Sequence, residues 1–227
     1  YFRTASTPTE LAETTSQVFL GIRIQCAKCH NHPYEKWTQN QYYQMSAFFA
    51  RVKRRPADSP GSQVILTGNG GEVSHPKSGK VVSPCALDAP EPTADEISRD
   101  RREALASWLT RKDNSMFSQA VANRLWKHFL GRGLVEPVDD IRATNPASNE
   151  ALMTYLGRSL ADHNYDLQAL MREIVLSNVY QRSSLPVGGN EVDGKFYSHA
   201  LFKRLGAEQL MDAISSVTGM PEKFGGY

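Results

Sequence analysis

Long apolar runs are missing from this chain of 227 residues. None approaches the ~20 consecutive apolar residues that a membrane-crossing helix needs, so no membrane span is expected. A charge excess is missing too. The 26 Lys and Arg nearly match the 24 Asp and Glu, leaving +2, and the overall balance does not point to nucleic acid. The basic run Arg51-Val-Lys-Arg-Arg55 is local, and it is read as the solvated end of a helix, where cations are favoured. No phosphate-cradling loop is present, because Gly68-Asn-Gly-Gly71 leads into strand-like residues and not into a helix. No serine sits in a nucleophile-elbow setting. Internal repeats and low-complexity tracts are absent. There is no initial Met and no signal peptide: Tyr1-Phe-Arg-Thr4 and Phe224-Gly-Gly-Tyr227 read as cuts through a longer parent chain, with any targeting segment upstream.

What is present describes a globular chain. Hydrophobic residues make up 40% and charged residues 22%, enough for a real core in one large domain or two small ones. Thr7-Pro-Thr-Glu10 has the form of a capping box with proline at the first helical position, and Leu11, Val18 and Ile22 follow at helical spacing toward Gly21. Thr38-Gln-Asn-Gln41 opens a second helix whose buried stripe is Tyr42, Met45, Phe48, Phe49 and Val52. Residues 56–92 change character: Pro, Gly and Ser are dense, and Val64-Ile-Leu66, Glu72-Val73 and Val81-Val82 are the only β-branched runs, which implies a loop with one small hairpin.

Helical spacing then returns. Thr93-Ala-Asp-Glu96 caps a helix through Leu105, Trp108 and Leu109, and Ser115 starts one that stops at Gly131. Further helices are expected over 146–163, 167–180 with Asp166 as cap, and 204–217. The fold class is mainly α, organised as a helical segment over 1–55, the loop-rich insert over 56–92 and a helical second domain over 93–227.

One motif carries a mechanism. In Cys26-Ala-Lys-Cys29-His30 the two thiols are spaced to add to the two vinyl groups of a haem, and the histidine directly after them lies under the iron as proximal ligand. The expected cofactor is haem c. Other chemistries remain open at the same residues. Cys26, Cys29, His30 and His32 form a Cys₂His₂ set, although zinc sites separate the cysteine pair from the histidine pair by about a dozen residues. A redox-active dithiol favours a βαβ setting, and a structural disulfide is also possible.

The second axial position has two candidates, His75 in the insert and His128 on the fourth helical pattern, besides an open or water-bound site. His32 is too close to His30 to reach the opposite face and is assigned a supporting hydrogen bond to a propionate or a backbone carbonyl. Met45 is read as core, Cys85 as a small buried residue unpaired in every scheme, and His163 and His199 as structural. Tyr34, Trp37, Tyr42, Tyr43, Phe48 and Phe49 suit an apolar haem wall and equally the core of a helix pair. Arg51, Lys53 and Arg54 suit propionates. Asp139-Asp140 is read as a solvated loop pair with side chains pointing apart.

Leu20-Gly-Ile-Arg-Ile-Gln-Cys-Ala-Lys-Cys-His-Asn-His-Pro33, with Trp37-Thr-Gln39, Tyr42-Tyr43 and Phe48-Phe49, resembles the large planctomycete proteins of unknown function that carry paired planctomycete-specific cytochrome-type domains. Asn123-Arg-Leu-Trp-Lys-His-Phe-Leu-Gly-Arg-Gly-Leu-Val135, Glu173–Arg182 and Arg204–Ile214 are similar to the second of those domains. The resemblance implies an exported bacterial protein, periplasmic or cell-surface. It carries over Cys26, Cys29, His30, His32 and Pro33, strengthens His75 and His128, and brings no reaction or substrate. Three functions follow as expectations: single-electron transfer with a redox partner protein, a haem-dependent oxidative enzyme, or a scaffold stabilised by a metal or disulfide.

Overall fold

The computed structural model describes residues 1–59, 61–97 and 100–220. In chain order the elements are α1 (Pro8–Thr15), α2 (Gln39–Ala47), β1 (Val52–Pro56), β2 (Gln63–Thr67), β3 (Val73–Ser74), β4 (Val81–Val82), α3 (Arg101–Leu109), α4 (Ser115–Leu130), α5 (Glu150–Asp162), α6 (Leu167–Leu176) and α7 (Ala207–Thr218). The protein is mainly helical, as its periodicity implies. Phe224-Gly-Gly-Tyr227 lies outside the described residues.

Both capping boxes form. The Thr7 hydroxyl accepts from the Glu10 amide while the Glu10 carboxylate accepts from the Thr7 amide, and Thr38 and Gln41 repeat the exchange. A π-helical turn over Ser16–Leu20 extends α1 to Gly21, whose φ of 69° ends it. Gly21 could not easily be another residue. A Cβ there would stand 2.7 Å from Ile141 Cδ1 and 3.3 Å from Ala120 Cβ.

The structure corrects the second helix. It stops at Ala47, and Phe48, Phe49 and Val52, read as its continuing stripe, belong to tight turns and a strand: the Phe49 amide donates to Ser46 O (3.0 Å) and the Val52 amide to Phe49 O (3.1 Å). From Val52 onward the basic run is therefore a strand and not a helix end. β1 pairs antiparallel with β2, Val52 opposite Thr67 and Pro56 opposite Gln63. Strand alternation turns Lys53 and Arg55 to solvent and leaves Arg54 half-buried, its guanidinium donating to Ala5 O. A second hairpin, β3 with β4, packs on α2, so the insert holds more β structure than the single hairpin expected.

Other boundaries moved for local reasons. The Thr93–Glu96 box forms but heads a single turn, and α3 has its own cap at Asp100, which accepts from the Arg102 amide at 3.0 Å. Asn149 caps α5, so it starts at Glu150 and not 146. At the end of α6 the Ser177 hydroxyl bonds back to Ile174 O, and the helix stops at Leu176.

Two cores result. Leu11, Leu20, Ile24, Tyr42, Met45, Phe48, Leu87 and Leu105 fill the first. Trp126, Leu134, Val135, Leu156, Leu160, Leu170 and Ile174 fill the second. Burying each large side chain contributes roughly 1.5–3 kcal/mol. α4 serves both, with Met116 and Phe117 packed on the first core and Ala122 and Trp126 inside the second. Buried Arg101 ties α3 to the first core by donating to Ala47 O (3.1 Å) and Glu72 Oε1 (2.9 Å). Met45 and Cys85 are buried as expected. α7 buries none of its residues.

Candidate functional site

Cys26 lies in a single 3-10 turn, Gln25–Lys28, with Cys29 next to it, and the Cys29 amide bonds to Cys26 O at 3.4 Å. Both thiols are free and exposed, while Ala27 between them is buried. The turn is anchored from α2. Buried Gln39 donates its side-chain amide to Lys28 O (2.8 Å), and its backbone amide donates to Asn31 Oδ1 (3.0 Å). The Tyr43 hydroxyl also donates to Lys28 O, at 3.2 Å. Burial raises the Tyr43 pKa, and the charge of a Cys29 thiolate adds to that rise, which puts the phenol within electrostatic reach of the thiol.

The histidines are distinguished by which ring nitrogen is engaged. His30 Nδ1 lies 2.7 Å from Asn31 O. A carbonyl only accepts, so Nδ1 carries the proton and Nε2 keeps a free lone pair on an exposed ring. His32 is the reverse. Its Nδ1 accepts from the amides of Tyr34 (3.2 Å) and Glu35 (3.0 Å), so its neutral form presents Nε2–H as a donor. The supporting hydrogen bond expected of His32, to a propionate or a backbone carbonyl, would therefore come from Nε2–H.

Of the two distal candidates, the fold brings one to the motif's side. The His75 ring packs on Tyr43, centroids 5.7 Å apart, and Tyr43 in turn touches the Cys26–Cys29 turn. His75 Nδ1 accepts from the Lys77 amide at 3.3 Å, a weak bond that must be released before Nε2 can offer a lone pair. His128 is exposed on α4, edge-on to Phe129 at 5.1 Å, and lines a separate groove with Arg124, Lys127 and Lys203.

Beside Cys26 runs a groove of about 280 Å³ walled by Ile22, Pro33, Tyr34, Trp37 and Ile141. Tyr42, Phe48 and Phe49 do not reach it, being consumed in the first core. Its far wall is Asp140, Ile141 and Arg142, which sequence reasoning did not place beside the motif. The Ile141 amide donates to Gly21 O (2.7 Å), and Asp139 accepts from Gln17 and from Arg23 (2.8 Å). Asp139 and Asp140 do point apart, Asp140 toward Arg142 at 3.3 Å, but the loop is half-buried and not simply solvated. Glu35 Oε1 and Arg142 Nε, both on residues lining this groove, are buried without a partner among the described residues.

Burial pulls the Asp139 pKa up, but hydrogen bonds from Gln17 and Arg23 and the Arg23 charge outweigh it, and the net shift is downward. A lowered carboxylate stabilises the fold above its unfolded pKa of ~3.9 and loses that contribution as pH falls through the folded value. Asp139→Asn is expected to cost about 1 kcal/mol at pH 7, a modest figure because Arg23 is exposed, and to cost nothing near pH 2. Urea denaturation of both proteins at the two pH values checks this; an equal deficit at both would assign the loss to packing.

The donor set fits haem attachment. Two accessible thiols sit on one anchored turn, and the following histidine holds the tautomer that leaves Nε2 for iron. Among the described residues no group of three or more His, Cys, Asp or Glu side chains is placed to hold a metal ion. No described helix is long and apolar enough to cross a membrane.

Two family models match. Residues 2–54 match PSCyt2, described as a protein of unknown function (DUF1549), and residues 101–227 match PSD1, described as a protein of unknown function (DUF1553). Both are planctomycete-associated domains. No curated protein and no solved structure matches the chain. With its anchored Cys-x-x-Cys-His turn inside the first match and the whole second core inside the other, which covers more than half of its length, the chain belongs to the PSD1 (DUF1553) family.

Proposed function

We propose that the chain is a c-type haem protein that passes single electrons to or from a partner protein. The observation that carries this reading is the pairing of free, exposed Cys26 and Cys29 with a His30 whose Nδ1–H is engaged by Asn31 O. Cys26 and Cys29 would hold the haem by thioethers, and His30 would ligate its iron. When bound, haem supplies one-electron chemistry whose potential follows its ligands and exposure. Gln39, Asn31 and Tyr43 hold the attachment turn in one geometry before anything binds, which lowers the ordering cost. The groove beside Cys26, at about 280 Å³, is at the small end of the ~300–1,000 Å³ of ligand pockets, so most of the cofactor would lie against the surface, open to a partner. His75 is the distal candidate favoured by its place on Tyr43. Attachment of this kind belongs to exported proteins, so a periplasmic or cell-surface location goes with the proposal.

One observation favours a second reading, haem-dependent oxidation of a small substrate: unpartnered Glu35 Oε1 and Arg142 Nε beside the Cys26 groove leave an acceptor and a donor for a polar molecule.

The deciding experiment is expression in a periplasm with haem-attachment machinery, followed by intact mass and a pyridine haemochrome spectrum. The expected result is one haem of added mass with a two-thioether spectrum, absent from the Cys26→Ser, Cys29→Ser double variant. An unmodified mass while a control cytochrome matures would overturn the proposal and leave the scaffold reading. In the loaded protein His75→Ala should alter the low-spin spectrum and His128→Ala should not.

A further inference from the structure

Around the C-terminal end of α4 lies an open groove of about 560 Å³, well within the size of ligand sites. It shares no lining residue with the groove beside Cys26. Two segments supply its cations: Arg124, Lys127 and His128 project from α4 at positions i, i+3 and i+4, and Lys203 and Arg204 come from the strap that crosses the helix end. Phe202, 88% exposed, stands beside them.

Helix chemistry accounts for part of this charge. The C-terminus of α4 exposes unpaired carbonyls and a negative dipole end, and Lys203 satisfies it by donating to Phe129 O. Lys127 pairs with Glu136 at 2.9 Å, and Arg124 donates to Gln17 O at 3.0 Å. Arg204 has no hydrogen-bond or ion-pair partner among the described residues, and His128 makes only its ring contact with Phe129. Four full cations and an imidazole thus face one groove, with Glu136 as the carboxylate paired to them. Such a concentration of like charge repels itself and favours a counter-ion.

We propose that this groove binds a compact oligoanion, a molecule bearing two or more phosphate, sulfate or carboxylate groups with an apolar part to lie against Phe202. Cations from two separate segments line the one groove, an arrangement that suits two or more joined oxyanion groups. Charge-assisted hydrogen bonds from Arg204 and Lys127 would supply the affinity, and Arg204, bonded to nothing else, is free to form a bidentate pair.

Calorimetric titration at low salt tests this with tripolyphosphate, inositol hexasulfate and citrate, and with orthophosphate as the single-group comparison. The three oligoanions should bind more tightly than orthophosphate. Arg204→Gln should weaken binding about tenfold, and adding His128→Gln should weaken it further. Neither side chain makes a hydrogen bond in the fold, so circular dichroism should match the parent. Arg55→Gln, which removes an exposed cation on β1, should leave affinity unchanged. Absence of binding by all three oligoanions overturns the proposal, as does an equal loss in Arg55→Gln, which would mark the attraction as diffuse. The titration gives the same answer with or without haem on the chain.

Discussion

Asn123→Leu is expected to lower stability by about 3 kcal/mol, among the largest effects of any single change in the second core. Asn123 is completely buried on α4. Its side-chain amide donates to Val135 O at 3.0 Å and its carbonyl accepts from the Val135 amide at 3.1 Å. One side chain thus satisfies both backbone groups of a residue that is itself buried, as a neighbouring strand would. Leucine has nearly the same size but no polar atoms, so the two Val135 groups would be left without partners. Each stranded group costs about 1–3 kcal/mol, and added apolar contact returns only part of that. Tyr197→Phe gives the scale, because the Tyr197 hydroxyl bonds Gly133 O (2.9 Å) and Arg132 O (3.2 Å) in the same turn and its loss leaves both Val135 backbone groups paired; about 1 kcal/mol is expected. Differential scanning calorimetry should show Asn123→Leu melting roughly 6–12 °C lower. A loss no greater than that of Tyr197→Phe would show that water reaches Val135.

The consequence extends beyond stability. The turn that Asn123 holds leads to Asp140, Ile141 and Arg142, the far wall of the Cys26 groove. Loosening it should therefore change the surroundings of the candidate site although Asn123 does not line that groove.

That wall also shows where sequence reading stops. The motif was legible because its chemistry is local: five consecutive residues specify thiol spacing and the adjacent histidine. Helix starts were legible for the same reason, since Thr7 with Glu10 and Thr38 with Gln41 carry their own partners three residues away. The pairing of Gln17 and Arg23 with Asp139 spans more than 100 residues and has no local signature. Nor does the approach of His75 to Tyr43, which depends on a hairpin packing on α2. The end of α2 was hidden by a coincidence of phase: Phe48, Phe49 and Val52 stay in helical register with Tyr42 and Met45 while the backbone has already turned into β1. Cations after an apolar stripe read as a helix end, and only the antiparallel partner β2 shows them to be a strand.

The hairpin that carries His75 begins beside a close backbone approach at Gly71, and Gly71→Ala is expected to disturb it at a cost of about 3 kcal/mol or more. Gly71 has φ of 131°, a conformation L-residues rarely adopt, and a Cβ on it would stand 2.3 Å from Ala50 O. The obstacle is a carbonyl and not the end of a flexible side chain, so the chain must shift. Glu72 is next in line, and it accepts from Arg51 and from buried Arg101, each at 2.9 Å. Displacing Glu72 would leave Arg101 with a buried charge and no carboxylate, which adds to the penalty. Two neighbouring glycines separate strain from collision. Gly79 has φ of 67° with open space around it, so Gly79→Ala should cost about 1–2 kcal/mol for the left-handed backbone alone. At Gly70 φ is ordinary and no atom lies near its Cβ position, so Gly70→Ala should be neutral. Urea denaturation of the three variants should rank them Gly70, Gly79, Gly71 in increasing loss. The same displacement would lift His75 from Tyr43, so in a haem-loaded protein Gly71→Ala should reproduce the spectrum of His75→Ala while Gly70→Ala keeps that of the parent. A Gly71→Ala protein with an unchanged spectrum would mean that iron does not depend on His75, and an open distal position would then be the better account.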